Sequence, residues 1–303
     1  MQNIIYVEEK ARSPLENLAM NMHYADMAME SKHGILGRIY SHSRGVILGN
    51  TQSTEDLFED ACVNEGYQIV RRPSGGSAII TETGNNLCYS LFFDSKRFGG
   101  DFDFEKAYKA ITIPIAKRFG DDFSVKGIYY MRHNHQGQDY PIAGHAMKLH
   151  GRDIVQFDGV IQMEDADSES ISKVLKLRKL YMEDATPLIE MDGQLYTPKG
   201  KEIHDIPHGA KLDRDEYEEI SGIRGMKSIG ISVEETIGHI IDALREEFGK
   251  IEMRRGEKPK SKDLESYMED IRSSRDIGKR RCLGHCFVDF ADSEPEIHYE
   301  KEK

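Results

Sequence analysis

Cysteine is scarce in this 303-residue chain: Cys62, Cys88, Cys282 and Cys286 are all it holds. That is too few for a disulfide scaffold at this length, and a reducing, cytoplasmic location is expected. No run of about 18 apolar residues occurs, so a spanning helix is not expected. Met1-Gln2-Asn3-Ile4 lacks the charged-then-apolar layout of a signal peptide. A soluble protein with no membrane partner follows as the expectation. Basic charge is also short, with 41 Lys and Arg against 53 Asp and Glu for a formal net charge of −12. General nucleic-acid binding needs a basic face to neutralise phosphates, so it is excluded as a main activity, while a local basic pocket is still allowed. Internal repeats and low-complexity tracts are absent as well.

The length suits one large domain or two ordinary ones. Asn3–Val7 reads as a strand. Ser13-Pro14-Leu15-Glu16 opens a helix with Ser as the cap, Pro at the first helical position and Glu three residues after the cap. Leu15, Leu18, Met22, Ala25 and Met29 then mark its buried face. Strands are expected at Gly37–Tyr40 and Gly45–Gly49, joined by the polar turn Ser41–Arg44, followed by a helix over Thr54–Asn64 that stops at Gly66. Tyr67–Arg72 is extended, and Ile79–Thr81 with Leu87–Phe93 reads as a hairpin about Gly84-Asn85. Phe104–Phe119 has a helical stripe that Pro114 should kink. Val125–Met131, Pro141–Met147 and Ile154–Met163 look extended. A helix near Ser170–Met182 and a hairpin over Leu188–Tyr196 come next. The capping box Ser232-Val233-Glu234-Glu235 begins the last strong helix, which stops at Gly249. Lys250–Lys262 reads as a charged linker to a small appendage with a helix and a strand at Cys286–Phe290. The expected class is α+β: a mixed β-sheet with flanking helices over residues 1–249, and a short C-terminal appendage over 250–303.

The stretch that organises this pattern is Arg71-Arg72-Pro73-Ser74-Gly75-Gly76-Ser77-Ala78, leading through Thr81 to Gly84-Asn85. Adjacent glycines let backbone N–H groups approach an anion with no Cβ in the way. Arginines supply planar, permanently charged donors for carboxylate or phosphate. On these residues alone, a plain turn carrying two surface arginines is an equal reading.

With its neighbours, however, the stretch resembles the signature of lipoate–protein ligases and the related octanoyltransferases, within the biotin/lipoate protein ligase superfamily. Those enzymes carry Arg-Arg-x-Ser-Gly-Gly-Gly-Ala-Val, then His-Asp and Gly-Asn. Asn17-Leu18-Ala19, Gly49-x-x-Gln52 and Ile142-Ala143-Gly144-x-Ala146 follow the family's order, and the likeness spans about 4–248. The resemblance implies a biotin/lipoate-ligase-like domain and a two-step reaction. ATP, with Mg2+, activates lipoate or octanoate as an acyl-adenylate, and the acyl group passes to a lysine of a lipoyl carrier, either a lipoyl domain or a glycine-cleavage H-like protein. By position it also implies that Arg72, Ser74, Ser77 and Thr81 contact acyl group and adenylate. Arg71, Gly75, Gly76, Ala78, Gly84, Asn85, Gly144, His145 and Ala146 complete the expected binding set, and Asn134 is expected near phosphate or metal. Full ligases often add a larger C-terminal domain, which the residues after Lys250 are too few to form. A partner subunit supplying it, or a transferase that never meets ATP, are the alternatives.

Three departures from the family stand out. Ser77 replaces a glycine, Thr81-Glu82 replaces His-Asp, and Pro141 stands where the family has the lysine that contacts the acyl carbonyl. Proline offers neither charge nor N–H. Lys148 is the nearest replacement, but an odd offset of seven residues points it to the other face of a continuous strand. A non-catalytic homologue that binds a lipoyl domain or its acyl group is therefore carried as a third reading. Cys88 is expected to be inert in a core strand. His133, His135, His145 and His150 are read as a polar rim without a metal. His204 and His208 are read as loop residues, and Cys282 and Cys286 as unlinked to zinc, since a structural site wants four ligands.

Overall fold

A computed structural model of the chain describes residues 3–30, 34–50, 52, 54, 57–76, 78–99, 102–126, 130–151, 153–167, 171, 174, 180–181, 187–191, 194–196, 202–203, 211–212, 224–256 and 264–274. Its elements are β1 (Asn3–Val7), α1 (Pro14–Glu30), β2 (Ile35–Tyr40), β3 (Gly45–Leu48), α2 (Glu59–Asn64), β4 (Gln68–Arg71), β5 (Ile79–Thr81), β6 (Asn86–Asp94) and α3 (Phe104–Phe119). They continue with β7 (Phe123–Lys126), β8 (Tyr130–His135), β9 (Gln138–His150) and β10 (Ile154–Gln162). Short strands β11 (Leu180–Tyr181), β12 (Pro187–Met191), β13 (Gln194–Tyr196), β14 (Glu202–Ile203) and β15 (Lys211–Leu212) come next, then α4 (Val233–Phe248), β16 (Ile251–Arg255) and α5 (Leu264–Ser274).

Three sheets form: an eight-stranded one ordered β16-β1-β2-β6-β10-β9-β8-β7, a five-stranded one ordered β14-β13-β12-β11-β15, and a three-stranded one ordered β4-β3-β5. The large sheet is parallel across β16, β1 and β2, and antiparallel from β2 onward. Its back face carries the main core, where Tyr89, Leu91, Phe93 and Phe157 meet Tyr108, Ile111 and Ile115 of α3 and Ile237, Ile240 and Leu244 of α4. On its front face lies α1, whose Met20, Tyr24 and Ala25 meet Tyr6, Leu36 and Phe92. The small sheet packs on the far side of α1 through Ile47 and Val70, beside Ile271 of α5.

Both expected caps form. Ser13 Oγ accepts the Glu16 N–H while the Glu16 carboxylate accepts from the Ser13 N–H, and Ser232 pairs with Glu235 in the same way. The buried face of α1 is less apolar than its sequence suggests. Met29 is exposed, whereas Asn17 and Asn21 are buried. They turn toward Arg38, which is fully buried on β2 and donates to the Asn17 carbonyl and to the side-chain oxygens of both asparagines. Glu8 completes the charge balance at 2.8 Å.

The expected hairpin about Gly84-Asn85 is corrected, and the strands on either side of the Ser41–Arg44 turn do not pair either. β2 and β3 do not pair, nor do β5 and β6: β3 and β5 join each other in the small sheet, while β2 and β6 pair in the large one. The turns at 41–44 and 82–85 thus carry the chain between sheets. Each is held by a side chain: Thr81 Oγ1 donates to the Ser43 and Gly45 carbonyls, and Asn86 Nδ2 to the Glu82 carbonyl. The helix expected from Thr54 begins only at Glu59, after a separate turn in which the Leu57 N–H donates to the Thr54 carbonyl. The expected linker opens as β16, a parallel edge strand on β1, so the large sheet continues past Gly249. The β12–β13 pairing agrees with the expected hairpin. The expected helix near Ser170–Met182, the strand at Cys286–Phe290 and the residues His204, His208, Cys282 and Cys286 lie wholly or largely outside the described residues.

His42, just after β2, is buried with Nδ1 3.1 Å from Asn17 Nδ2. Burial first, then the Arg38 charge, hold its ring down to about 3, against an ordinary imidazole value of about 6.5. A depressed base contributes stability above its unfolded value and loses it as pH falls toward the folded one. Melting temperature is therefore expected to drop as pH is lowered below about 6.5, and His42→Gln should remove part of that slope. An identical pH profile in the variant would refute the assignment.

Candidate functional site

The Arg71–Ala78 loop rises from the C-terminal end of β4 and is held from beneath. Arg71 Nη1 donates to the carbonyls of Gly49, at 2.8 Å, and of Gln52, at 2.5 Å. Arg72 Nη1 donates to the Ile47 carbonyl at 3.0 Å, and its Nε and Nη2 to the Gly75 carbonyl at 3.1 and 2.6 Å. Both guanidinium groups are buried. The residues read in the sequence as ligand contacts, or as surface charges of a plain turn, thus clamp the two halves of the loop to the end of the small sheet.

The glycines divide by role. A Cβ on Gly49 would lie 1.8 Å from the Gly76 carbonyl oxygen, so two backbone segments touch there with no room for a side chain. Gly76 has φ +92°, in the region that disfavours L residues, and its added Cβ would meet Arg72 Nη2 at 2.9 Å. Gly75 has no such constraint: nothing lies within 4 Å of the place its Cβ would take. Gly75 is exposed, with its carbonyl taken by Arg72 and open space on the side where a side chain would project.

Ser74, almost completely buried, points the other way, with Oγ 3.4 Å from Asp158 Oδ2 on β10 of the large sheet. Asp158 also accepts from Ser90 Oγ at 2.6 Å and, through both carboxylate oxygens, from Gln156 Nε2 at 2.9 and 2.8 Å. Gln156 Oε1 in turn lies 2.7 Å from His150 Nε2. On the other side, Ser90 joins Tyr40 and Asn21, and Asn21 joins Arg38. A continuous polar chain therefore crosses the front of the sheet from Glu8 to His150, with Asp158 under the loop. Burial raises the Asp158 pKa, opposed by the Ser90 and Gln156 hydrogen bonds and by the Arg72 charge. Asp158, Gln156 and Ser90 were missed in the sequence. Their signal was polar side chains inside otherwise apolar strands, a pattern that calls for a partner on the same face.

Beside this chain, the front surface is accessible along one strip. Gly144, Ala146 and Lys148 of β9 and Asp158 and Val160 of β10 are only partly buried, while Phe157, Gly159 and Ile161, which alternate with them, are buried. Ala146 pairs with Asp158 and Lys148 with Gln156, so these side chains share a face. The sequence expectation for Lys148 is corrected here. The β8–β9 register steps from Met131↔Ala143 to Arg132↔Pro141, a bulge that adds Ile142 to β9. Ile142 and Ala143 both enter the back core. The alternation is thereby reset, and Pro141 and Lys148 fall on the same, front, face.

Other expected residues separate from this strip. His145 faces the back, where its ring meets Tyr89 at 6.0 Å and Phe157 at 5.6 Å between centroids. Thr81 turns its hydroxyl to the backbone before β3. Gly84, with φ +86°, and Asn85 form the crossing between sheets. Asn134 shares the front face with Arg132, and its Oδ1 accepts from the Gly137 N–H in the β8–β9 turn. Ala78 is partly buried against the small sheet, and Ser77 lies outside the described residues. The histidines do not gather: His133 and His135 stack on the back face, and His150 joins the front chain. Cys88 is buried with its thiol pushed well up by desolvation, next to Asp158, and Cys62 is buried beside the Val174 carbonyl. No helix among the described residues is long and apolar enough to cross a membrane.

Residues 13–188 match the family model described as the lipoyl protein ligase A/B catalytic domain. An octanoyl-[GcvH]:protein N-octanoyltransferase of Bacillus velezensis is 29% identical over 101 residues, covering 30% of this chain and 34% of the relative. The chain therefore aligns with only about a third of that relative's length. Among solved structures, the bipartite lipoate protein ligase of Thermoplasma acidophilum, studied with its E2 lipoyl domain, superposes with a TM-score of 0.63 at 17% identity, covering 89% of this chain and 91% of that one. Lipoate-protein ligase A bound with ATP superposes with a TM-score of 0.60 at 15% identity, covering 89% of this chain and 94% of that one. At these identities the two structures speak for the fold, an α+β arrangement of a large mixed sheet with flanking helices.

Proposed function

We propose, from the premise that the chain belongs to the lipoyl protein ligase A/B catalytic domain family, that it transfers a lipoyl or octanoyl group to a lysine amine of a lipoyl carrier protein. The observation that carries this reading is the accessible strip Gly144–Ala146–Lys148–Asp158–Val160 lying beside Ser74, beneath a loop whose Gly75 is exposed. Small side chains at 144 and 146 leave room for an extended acyl chain on an otherwise filled sheet. Its carboxyl end would lie between the Ser74–Gly75 backbone and Lys148.

Activation by ATP is the route we favour. A carboxylate oxygen attacks the α-phosphorus and pyrophosphate leaves; the carrier lysine then attacks the acyl carbonyl and AMP leaves. ATP would bring Mg2+ with it, most of the metal's ligands being phosphate and water oxygens. A transfer through a protein thioester is disfavoured by the cysteines, since a thiolate nucleophile needs a lowered pKa and access. Cys88 and Cys62, the described ones, are both buried. Lys148 supplies the positive charge at the acyl carbonyl in place of the residue lost at Pro141, its stem starting about 7 Å along the face from Ala146. The carrier would be a lipoyl domain or a glycine-cleavage H-like protein, with an accessory domain coming from a separate subunit. The octanoyltransferase likeness supports a second reading, transfer from an octanoyl carrier without ATP.

Lipoate-dependent exchange of pyrophosphate into ATP, followed by the mass of an offered carrier protein, tests the proposal. Exchange and an acyl mass gain are expected; mass gain from an octanoyl carrier without exchange would establish the second reading. Binding with neither would leave a non-catalytic acyl-carrier binder. Lys148→Ala is expected to retain lipoate binding and lose about a hundredfold in turnover, the scale of removing one charge-stabilising donor. Wild-type turnover in that variant would dismiss the assignment.

A further inference from the structure

On the back of the large sheet, away from the Ser74 loop, the turn Met226–Ile229 before α4 leaves a cleft of about 360 Å³ against β8. Its lining is His133, His135, Arg224, Ser228 and Ile229. Each of these but the isoleucine can donate a hydrogen bond, and no carboxylate lines it among the described residues. In a chain of net charge −12 such a lining is unusual. A second observation points to a ligand: His133 is only 8% exposed, yet its Nδ1 has no hydrogen-bond partner among the described residues. A buried polar atom in that state is costly unless something completes it.

The Ser228 hydroxyl donates to the Gly225 carbonyl at 2.8 Å, which leaves Arg224 and the two imidazoles as the donors of interest. His133 packs on Phe123, with ring centroids 4.7 Å apart, and stacks on His135 at 6.1 Å. Arg224 lies over the Tyr140 ring at 5.0 Å, which fixes the plane of its guanidinium. The acids that act on these groups are Asp122, which faces His133, and Asp165, whose carboxylate is held by the Gly225 N–H at 2.8 Å. Burial lowers the His133 pKa, so the ring is neutral near pH 7 and can carry its one N–H at Nδ1.

We propose that this cleft is a second, non-catalytic binding site for a small oxyanion-bearing molecule, with Arg224 and His133 as its principal donors. A planar guanidinium beside an imidazole N–H matches the oxygens of a phosphate or carboxylate group. Ile229 meets an apolar portion of the same molecule. The site owes nothing to the acyl strip, from which the sheet separates it.

Isothermal titration of the full chain with inorganic phosphate, pyrophosphate and citrate tests the proposal and distinguishes a phosphate from a carboxylate source. Saturable binding of at least one anion is expected, falling by about tenfold or more in Arg224→Ala, the loss typical of one charge-assisted donor pair. A melting curve of Arg224→Ala, a partly buried residue, keeps that test independent of folding, and His133→Gln with the same control provides a second. Gly75→Ala, on the opposite face, should bind the anion as the wild type does. No saturable binding, or binding unaffected by Arg224→Ala, would overturn the site. Loss in Gly75→Ala with Arg224→Ala unaffected would assign the anion to the acyl strip instead.

Discussion

Gly49→Ala and Gly75→Ala are expected to behave in opposite ways, although both glycines belong to the same pair of loops. At Gly49 the added methyl would sit 1.8 Å from the Gly76 carbonyl oxygen and 3.0 Å from its carbonyl carbon. Both atoms are backbone, so no rotamer change can absorb the contact. The Arg71–Ala78 loop must lift from residues 49–52, weakening the Arg71 clamp and drawing Ser74 from Asp158. A loss of about 1–3 kcal/mol in unfolding free energy is expected, the usual range for overpacking, together with loss of lipoate binding. At Gly75 the methyl meets nothing within 4 Å. Stability should stay within about 0.5 kcal/mol of the wild type, while lipoate affinity falls by about tenfold or more because the methyl projects into the open space beside the exposed Gly75 backbone. Denaturant melts and calorimetric titration with lipoate separate the two. Normal lipoate affinity in Gly75→Ala would mean that the ligand does not lie against Gly75.

Arg38→Ala should be the most destabilising single change in the polar chain. Arg38 has no exposed side-chain surface, and Glu8, 2.8 Å away, has 4%. Five polar groups depend on it or on each other: Glu8, the Asn17 carbonyl and side chain, Asn21 and the Tyr40 ring, over which the guanidinium lies at 3.9 Å. Truncation leaves Glu8 with only the partly exposed Arg12, 2.8 Å away, as its cation and strips the Asn17 and Asn21 oxygens of their donor; breaking such a buried ion-pair network typically costs about 3–5 kcal/mol. The same reasoning predicts that the double change Glu8→Gln, Arg38→Met recovers much of that loss, since no buried charge then lacks a partner. Equilibrium unfolding in urea measures both. If Arg38→Ala costs less than about 1 kcal/mol, the network is not the tie between α1 and the sheet. Through Asn21, Ser90 and Asp158 the damage should also reach the acyl strip, seen as weaker lipoate binding in the double variant once it is folded.

Elements with a local code were legible in the sequence. The caps at Ser13 and Ser232, the stop at Gly249 and the strand Asn3–Val7 are each decided by a few neighbouring residues, and all occur as expected. Pairings were not legible in that way. The turns at Ser41–Arg44 and Gly84-Asn85 have hairpin composition, yet each joins strands of different sheets. The choice depends on bonds to backbone far along the chain, Thr81 Oγ1 donating to the Ser43 carbonyl and Asn86 Oδ1 accepting from the His42 N–H. Likewise the face of Lys148 could not be read by counting residues, because the bulge at Ile142 resets the alternation.

The same division runs through the site. Residue types by themselves determined the loop Arg71–Ala78, the bareness of its glycines and the loss of a lysine at Pro141, because those are properties of side chains present or missing. Only the tertiary structure decided what the loop stands on. It turned Arg71 and Arg72 inward as clamps, set Asp158 beneath Ser74, brought Lys148 to the front face and sent His145 and His133 to the back. Each of those outcomes depends on cross-strand register and on the packing of α1 and the small sheet over the large one, contacts between residues far apart in the chain.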